Sequence, residues 1–125
     1  MTKNGFTLTE LIVVVVILGI LATLAIPNFF KVMENTKAKE AVASLHQIRA
    51  GEHIYRYEEN AYWPSGAGDN AAINAQLNLS LDTGAERNWD YSITADASTF
   101  TATATRIGKA ADNTITIDED GEIGG

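Results

Sequence analysis

The amino-acid sequence predicts an α+β protein in which one long N-terminal α-helix packs against a small antiparallel sheet. Three observations favour this fold class. Residues 6–26 are almost entirely apolar, a pattern with helical spacing follows to about residue 58, and apolar and polar residues alternate from residue 88 onward. We expect three or four strands in the sheet, and we expect the apolar half of the helix to project from the folded part of the protein.

The first segment, residues 6–27, is long enough to cross a membrane as a helix. About 20 apolar residues in a helix span about 30 Å, which is the thickness of a hydrocarbon core. The segment carries one carboxylate, Glu10, close to its beginning. A carboxylate inside a bilayer costs about 2.5–3.5 kcal/mol on insertion scales, so an ionisable residue there is a functional hypothesis that calls for a partner.

Two ordinary interpretations of this N-terminus leave Glu10 without a role. A secretory signal peptide would use Lys3 as its charged start and residues 23–25 as its cleavage site, although the apolar run is long for such a signal and Pro27 follows closely. A plain membrane anchor would keep its N-terminus in the cytoplasm through Lys3.

A third interpretation rests on the spacing of residues 5–10, Gly-Phe-Thr-Leu-Thr-Glu, ahead of the apolar run. This stretch resembles the signature of type IV pilins and type II secretion pseudopilins. In that family a membrane prepilin peptidase cuts after the glycine on the cytoplasmic side and methylates the new N-terminal phenylalanine. The resemblance therefore implies that residues 1–5 are a leader peptide, that cleavage follows Gly5, and that Phe6 becomes an N-methylphenylalanine.

The resemblance also implies assembly roles for three residues of the apolar segment. Cleavage creates an α-ammonium at Phe6, and Glu10 of one subunit can neutralise the ammonium of a neighbour, so that two costly charges become one pair. Pro27 matches the family and removes a backbone donor, while Gly19 weakens the same stretch of helix. The family's filaments often show this helix partly unwound between such residues, and a kink at the membrane surface is the alternative for Pro27.

The function implied by the resemblance is structural and not enzymatic. The protein would enter the bacterial inner membrane as a prepilin and polymerise through its N-terminal helix into an extracellular or periplasmic filament. Its expected partners are copies of itself, the prepilin peptidase, the membrane, and an inner-membrane assembly platform with its ATPase. The sequence leaves open a surface pilus, a secretion pseudopilus and a DNA-uptake filament, and also an enzyme or ligand-binding domain on a plain anchor.

Residues 28–58 are predicted to continue the helix as an amphipathic half. Charged and polar residues occupy the faces that the apolar ones leave. The apolar positions with helical spacing are Ala38, Ala41, Val42, Leu45, Ile48 and Tyr55. Joined to the first segment, they give one helix of about 50 residues. Its apolar half must be covered by membrane or by other copies of the chain.

Residues 59–87 are predicted to be a variable loop region. Turn-forming residue types dominate residues 62–70. A short helix over residues 71–79 is expected within the region, with Asp69 or Asn70 as its N-cap.

Residues 88–125 are predicted to form an antiparallel meander, because apolar and polar residues alternate in three runs. The apolar positions are Trp89, Tyr91 and Ile93 in the first run, Phe100, Ala102 and Ala104 in the second, and Ile115 and Ile117 in the third. A short fourth strand near residues 122–123 would follow the turn dipeptide Asp120-Gly121.

The C-terminal acidic cluster is the better of two candidate ligand sites. Asp118, Asp120 and Glu122 alternate along the chain and could converge on Ca²⁺, which some major pseudopilins hold in a C-terminal loop. The spacing is not that of an EF-hand. A tight hairpin turn at Asp120-Gly121 and an acidic contact to a neighbouring subunit are the alternatives.

A second candidate places His46 and His53 on one helical face, with Glu52 adjacent, but no third ligand is spaced for a metal site. Surface or sheet-facing histidines are the simpler interpretation of this pair. No cofactor is therefore expected, with calcium kept as a weak hypothesis.

Composition argues against several other classes of function. The net charge of −7 disfavours binding to a phosphate backbone, so no nucleic-acid partner is expected. The sequence has no cysteine, which excludes a disulfide framework and a cysteine nucleophile, and sets it apart from pilins with a C-terminal disulfide. It also lacks a Gly-x-Ser-x-Gly elbow and a glycine-rich phosphate loop.

Overall fold

The computed structural model describes residues 4–63, 69–108 and 113–125. The described elements are the helices α1 (Leu8–Glu59) and α2 (Asn70–Leu77) and the strands β1 (Trp89–Ala95), β2 (Phe100–Arg106), β3 (Thr114–Asp118) and β4 (Ile123–Gly124). The four strands form one antiparallel sheet in the order β1-β2-β3-β4. The predicted α+β class, with its long N-terminal helix and its meander, is confirmed.

The chain divides into two compact units, of which the first ends at Thr36 and the second begins at Lys37. The first unit contains the beginning of α1, and each of its described residues is exposed. Within the described residues, α1 is the one helix long and apolar enough to cross a membrane by length and composition, with a mean hydropathy of 2.7 in its most apolar window.

Helix α1 differs from the prediction at its start. It begins at Leu8 and not at Phe6, because the Thr7 carbonyl accepts the first helical hydrogen bond, from Leu11 N at 3.1 Å. Helix α1 is continuous through Pro27 in the single chain. A proline removes one backbone donor, so a helix can continue through it with one hydrogen bond missing, and the loosening expected in a filament stays a prediction. The Thr23 hydroxyl also donates to the Gly19 carbonyl at 2.8 Å.

The second unit has one hydrophobic core, formed where the amphipathic half of α1 meets α2 and the inner face of the sheet. Ala41, Leu45 and Ile48 of α1 are fully buried, whereas the predicted positions Ala38, Val42 and Tyr55 are partly buried. All the predicted inward positions of β1 and β2 are buried, as is Ile117 of β3, while Ile115 is partly buried.

A glycine brings the two helices together. A Cβ atom at Gly51 of α1 would lie 3.0 Å from Leu77 Cβ of α2, so a larger residue there would need the helices to separate. Asp69 caps α2 as predicted, accepting hydrogen bonds from the backbone of Ala71 and Ala72. Helix α2 ends at Leu77, two residues earlier than expected, because Asn78 adopts a left-handed conformation that terminates helices.

Candidate functional site

The first turn of α1 holds Glu10 in a reciprocal pair of hydrogen bonds with Thr7. Thr7 N donates to Glu10 Oε2 at 3.2 Å, and Glu10 N donates to Thr7 Oγ1 at 3.1 Å. This arrangement is a capping box, which satisfies two backbone donors that a helix start leaves without partners. This role of Glu10 was not predicted from the sequence. The signal was present, because Thr-x-x-Glu stands directly before the apolar run.

Phe6 and Glu10 line the same shallow depression at the start of α1. Its volume is about 380 Å³, and Thr9, Val13 and Val14 complete its lining. The structure thus places the candidate methylated residue beside the candidate assembly carboxylate. Gly5 lies just ahead of them, with open space around the position that a Cβ atom would take.

An apolar surface continues along α1 from this depression. Large apolar side chains are exposed at successive positions through Leu24 and Ile26, and again at Phe29, Phe30 and Met33. A continuous apolar surface of this length marks a membrane or protein interface, because soluble monomers rarely expose such patches. Gly19 and Pro27 both lie within this stretch of helix.

The acidic C-terminal cluster forms a tight turn that hydrogen bonds to Asp118 hold together. Asp118 Oδ1 accepts hydrogen bonds from Asp120 N at 3.0 Å and from Glu122 N at 2.9 Å. Gly121 N donates to the Asp118 carbonyl at 3.1 Å, and Gly121 has a φ of +89°, which favours glycine. Asp118 Oδ1 thus already binds the backbone of its own turn.

This geometry supports the hairpin-turn interpretation and gives no support to the calcium hypothesis for Asp118, Asp120 and Glu122. In the described part of the chain, no group of three or more His, Asp or Glu side chains is placed to hold a metal ion. The two histidines of the second candidate site differ in exposure, since His46 is exposed whereas His53 is half-buried.

The turn is held against α1 through the carbonyl of Glu119. Arg49 Nε donates to this carbonyl at 3.1 Å, and His53 Nε2 lies 3.0 Å from it. His53 must carry its proton on Nε2, since a carbonyl can only accept. The His53 ring also makes edge-to-face contacts with Tyr62 and Phe100. His53 therefore has a packing role in this structure.

Glu52 is a buried carboxyl group whose place the sequence analysis did not foresee. Its side chain is fully buried, and Glu52 Oε2 accepts a hydrogen bond from Trp63 N at 2.8 Å. Among the described residues, Glu52 Oε1 has no hydrogen-bond partner. Burial raises the pKa of Glu52 to about 7, and the Trp63 N–H opposes that shift. The signal was its position, because Glu52 follows Ala41, Leu45 and Ile48 at helical spacing.

Comparison with known proteins finds a match for the N-terminal segment. Residues 1–26 match a family described as the prokaryotic N-terminal methylation motif. The chain carries a prokaryotic N-terminal methylation motif. Gly5, Phe6, Glu10 and Gly19 all lie within this motif, and Pro27 follows it directly.

The similarity to individual proteins covers more residues than the methylation motif does. The chain is 36% identical over 72 residues to the type II secretion system core protein G of Aeromonas hydrophila, covering 58% of this chain and 50% of that protein. It is 43% identical over 60 residues to the type IV major pilin protein PilA of Myxococcus xanthus, covering 48% of this chain and 27% of that protein.

A third relative is the type II secretion system core protein G of Pseudomonas aeruginosa, which is 40% identical over 60 residues, covering 48% of this chain and 42% of that protein. This chain therefore spans half or less of the length of these three relatives. The resemblance to type IV pilins and type II secretion pseudopilins is confirmed.

Proposed function

We propose that this chain is the structural subunit of a type IV pilus-like filament. The observation that carries the proposal is the methylation motif at the start of an apolar segment whose large side chains, from Phe6 to Met33, are exposed. Residues 1–5 would be the leader, cut off after Gly5 by the prepilin peptidase, which would then methylate the amine of Phe6.

The apolar helix supplies the driving force for assembly. Residues 6–27 would lie in the inner membrane before assembly, and in the filament other copies of the chain would cover them instead of lipid. A helical homopolymer forms when one surface of a subunit binds a different surface of the next and the rotation does not close a ring. Glu10 would pair with the α-ammonium of a neighbour, and Gly19 and Pro27 would let the helix adapt within the filament.

The remaining segments would form the outer part of the subunit. Residues 28–58 would link the filament core to a head made of the region 59–87 and the sheet region 88–125. The partner that drives extraction from the membrane would be an assembly platform with its ATPase. The finished filament would be extracellular for a pilus and periplasmic for a secretion pseudopilus.

A pseudopilin of a type II secretion system is the second candidate. Relatives of that name favour this candidate, and the similarity to the Aeromonas protein extends over 72 residues. Electron microscopy of cells that express the chain separates the two candidates. Long surface fibres at native expression favour the pilus, whereas a defect in protein secretion without surface fibres in a deletion strain favours the pseudopilus.

The mass of the protein purified from its own host tests the common part of both candidates. We expect a loss of residues 1–5 and the addition of one methyl group. An intact N-terminus, or a cut near residue 25, would contradict the proposal.

Gly5→Val provides the matched control for the mass measurement. Nothing lies within 4 Å of a Cβ atom at Gly5, so the substitution leaves the fold undisturbed while changing the residue ahead of the proposed cut. We expect this variant to keep its leader and to remain in the membrane fraction without assembling.

A further inference from the structure

Glu52 joins the end of α1 to the segment that leaves it. The segment 60–63 turns back after the left-handed residue Asn60, which has a φ of 61°. Trp63 N then donates to Glu52 Oε2 at 2.8 Å. Tyr62 is buried beside this bond, with its ring 4.8 Å from that of Phe100. The carboxyl group thus fastens the segment at the point where it meets the core.

The environment of this carboxyl group favours its neutral form. The side chain is fully buried, and in the described residues one of its two oxygens has no partner. A buried carboxylate without a counter-charge or a full set of hydrogen bonds takes up a proton at a higher pH than an exposed one. The single N–H from Trp63 offsets only part of the loss of water, and the pKa of Glu52 rises to about 7.

Three ionisable neighbours of Glu52 on α1 have partners elsewhere. Arg49 and His53 face the carbonyl of Glu119, and Arg56 NH1 donates to the Tyr62 hydroxyl at 3.2 Å. The Tyr62 hydroxyl also lies 3.5 Å from His53 Nδ1, and it is the one ionisable group of the segment 60–63.

Among the described residues, the core positions outside α1 bring no charge to Glu52. Helix α2 has no ionisable residue. Among the buried core residues of the strands, Tyr91 is the ionisable one, and its hydroxyl bonds to Ser44, two helical turns before Glu52. The charge on Glu52 is therefore controlled by its exposure to water.

We propose that Glu52 is a proton-controlled clasp, which in its neutral form keeps the segment 60–63 closed on α1 and which on ionisation favours opening of that segment to water. Opening hydrates the carboxylate and removes the cost of burying its charge. The device belongs to the unit that begins at Lys37, and it operates whether or not the chain forms a filament.

The direction of the pH dependence follows from the two pKa values. The closed form holds its proton up to about pH 7, whereas an exposed glutamate releases it near 4.5. The stabilisation from Glu52 is therefore complete below pH 4.5, falls as the pH rises toward 7, and changes no further above that. Within this window the closing equilibrium weakens by about tenfold per pH unit, which corresponds to about 1.4 kcal/mol.

Unfolding of the full chain in detergent micelles between pH 5 and pH 9 tests the proposal. The comparison is between the wild type and Glu52→Gln, whose amide can still accept the Trp63 N–H but does not titrate. We expect the ratio of their unfolding constants to change by about tenfold per pH unit up to pH 7 and to stay level above it. Glu59→Gln, the same change at an exposed position of α1, should follow the wild type at every pH.

A second measurement needs no variant and reports on the carboxyl group itself. The ¹³C chemical shift of the Glu52 side-chain carboxyl in the wild-type protein should titrate with a midpoint near pH 7. Amide exchange at Trp63, corrected for its intrinsic rate, should accelerate over the pH range below that midpoint. A midpoint near 4.5, or a wild type and Glu52→Gln with the same pH dependence, would overturn the proposal.

Discussion

Glu10 has a partner inside its own chain before any contact with a second subunit. The carboxylate accepts the Thr7 N–H, and the Glu10 N–H binds the Thr7 hydroxyl in return. A capping box of this kind stabilises the start of a helix by about 0.5–2 kcal/mol. The proposed pairing with a neighbour's ammonium would use the same carboxylate, so the two roles have to be separated by experiment.

Glu10→Gln separates charge from capping. Glutamine keeps the oxygen that accepts the Thr7 N–H but carries no charge, whereas valine removes both. If charge pairing governs assembly, both variants insert in the membrane and both lower the fraction of protein in filaments at least tenfold, since an unpaired buried ammonium costs about 3 kcal/mol or more. Fractionation and electron microscopy measure this loss.

The control for Glu10→Gln is the same substitution at an exposed carboxylate near the other end of α1. Glu58→Gln should assemble as the wild type does. Normal filaments from Glu10→Gln, together with poor filaments from Glu10→Val, would show that capping is the function of this side chain and would contradict the charge-pairing account.

Helix α2 protects the open edge of the sheet with a side-chain amide. Strand β1 lies at the edge of the sheet, where unpaired backbone groups invite pairing with another chain. Asn70 Nδ2 donates to the Trp89 carbonyl at 3.1 Å, and Asn70 Oδ1 accepts from Tyr91 N at 2.9 Å. The buried amide thus replaces two hydrogen bonds that a neighbouring strand would make. Asn74 binds the backbone of Leu81 in the same way, at 2.8 and 2.7 Å.

Asn70→Ala should lower the free energy of unfolding by about 2–4 kcal/mol. It leaves the backbone groups of Trp89 and Tyr91 without partners, together with the Asp82 carbonyl, which accepts from Asn70 Nδ2 at 2.9 Å. Denaturant unfolding measures the change. Gln76→Ala, at an exposed position of the same helix, should alter stability by no more than about 0.5 kcal/mol. Equal effects of the two substitutions would refute this role of Asn70.

The helices and strands of this fold were predictable from the periodicity of the sequence. The residues at which they end were less predictable. Alternation in β1 and β2 placed each inward residue correctly, because a strand directs successive side chains to opposite faces. The end of α2 was wrong by two residues, since it depends on the left-handed conformation of Asn78. The loosening of α1 at Pro27 stays a prediction for the filament, since in the single chain α1 is continuous through that residue.

The molecule as a whole combines an exposed apolar helix with a unit that contains its own core. Each residue of the hydrophobic core lies at or beyond Ala41, and Trp89 Nε1 donates to the Lys37 carbonyl at 2.8 Å. No described side chain before Lys37 is buried. The stability of the core therefore does not depend on the apolar segment, which leaves that segment available for membrane and partner contacts.

A fragment of residues 37–125 should fold on its own and remain monomeric without detergent. We expect cooperative thermal unfolding with a midpoint within about 5 °C of that of the full chain. A change of about 1 kcal/mol in the free energy of unfolding shifts the unfolding midpoint of a domain of this size by about that amount. Size-exclusion chromatography and circular dichroism measure both properties. A fragment of residues 46–125, which lacks Ala41, Leu45 and the Lys37 carbonyl, should be far less stable. An unfolded 37–125 fragment would contradict this division of the chain.

The sequence by itself determined the membrane-length apolar helix, the methylation motif, the amphipathic continuation of α1 and the strands of the meander. All of these are encoded by local periodicity or by fixed spacing between near neighbours, so a single pass along the chain can detect them.

Only the tertiary structure decided the environment of the polar side chains. Glu52 is fastened to Trp63, Asn70 covers the edge of β1, and Arg49 binds a carbonyl that lies 70 positions away in the chain. It also showed that the Asp118 side chain organises a turn through the backbone of Asp120 and Glu122. Such roles depend on which distant backbone groups become buried beside a side chain, and that follows from packing the helices on the sheet and not from any local pattern.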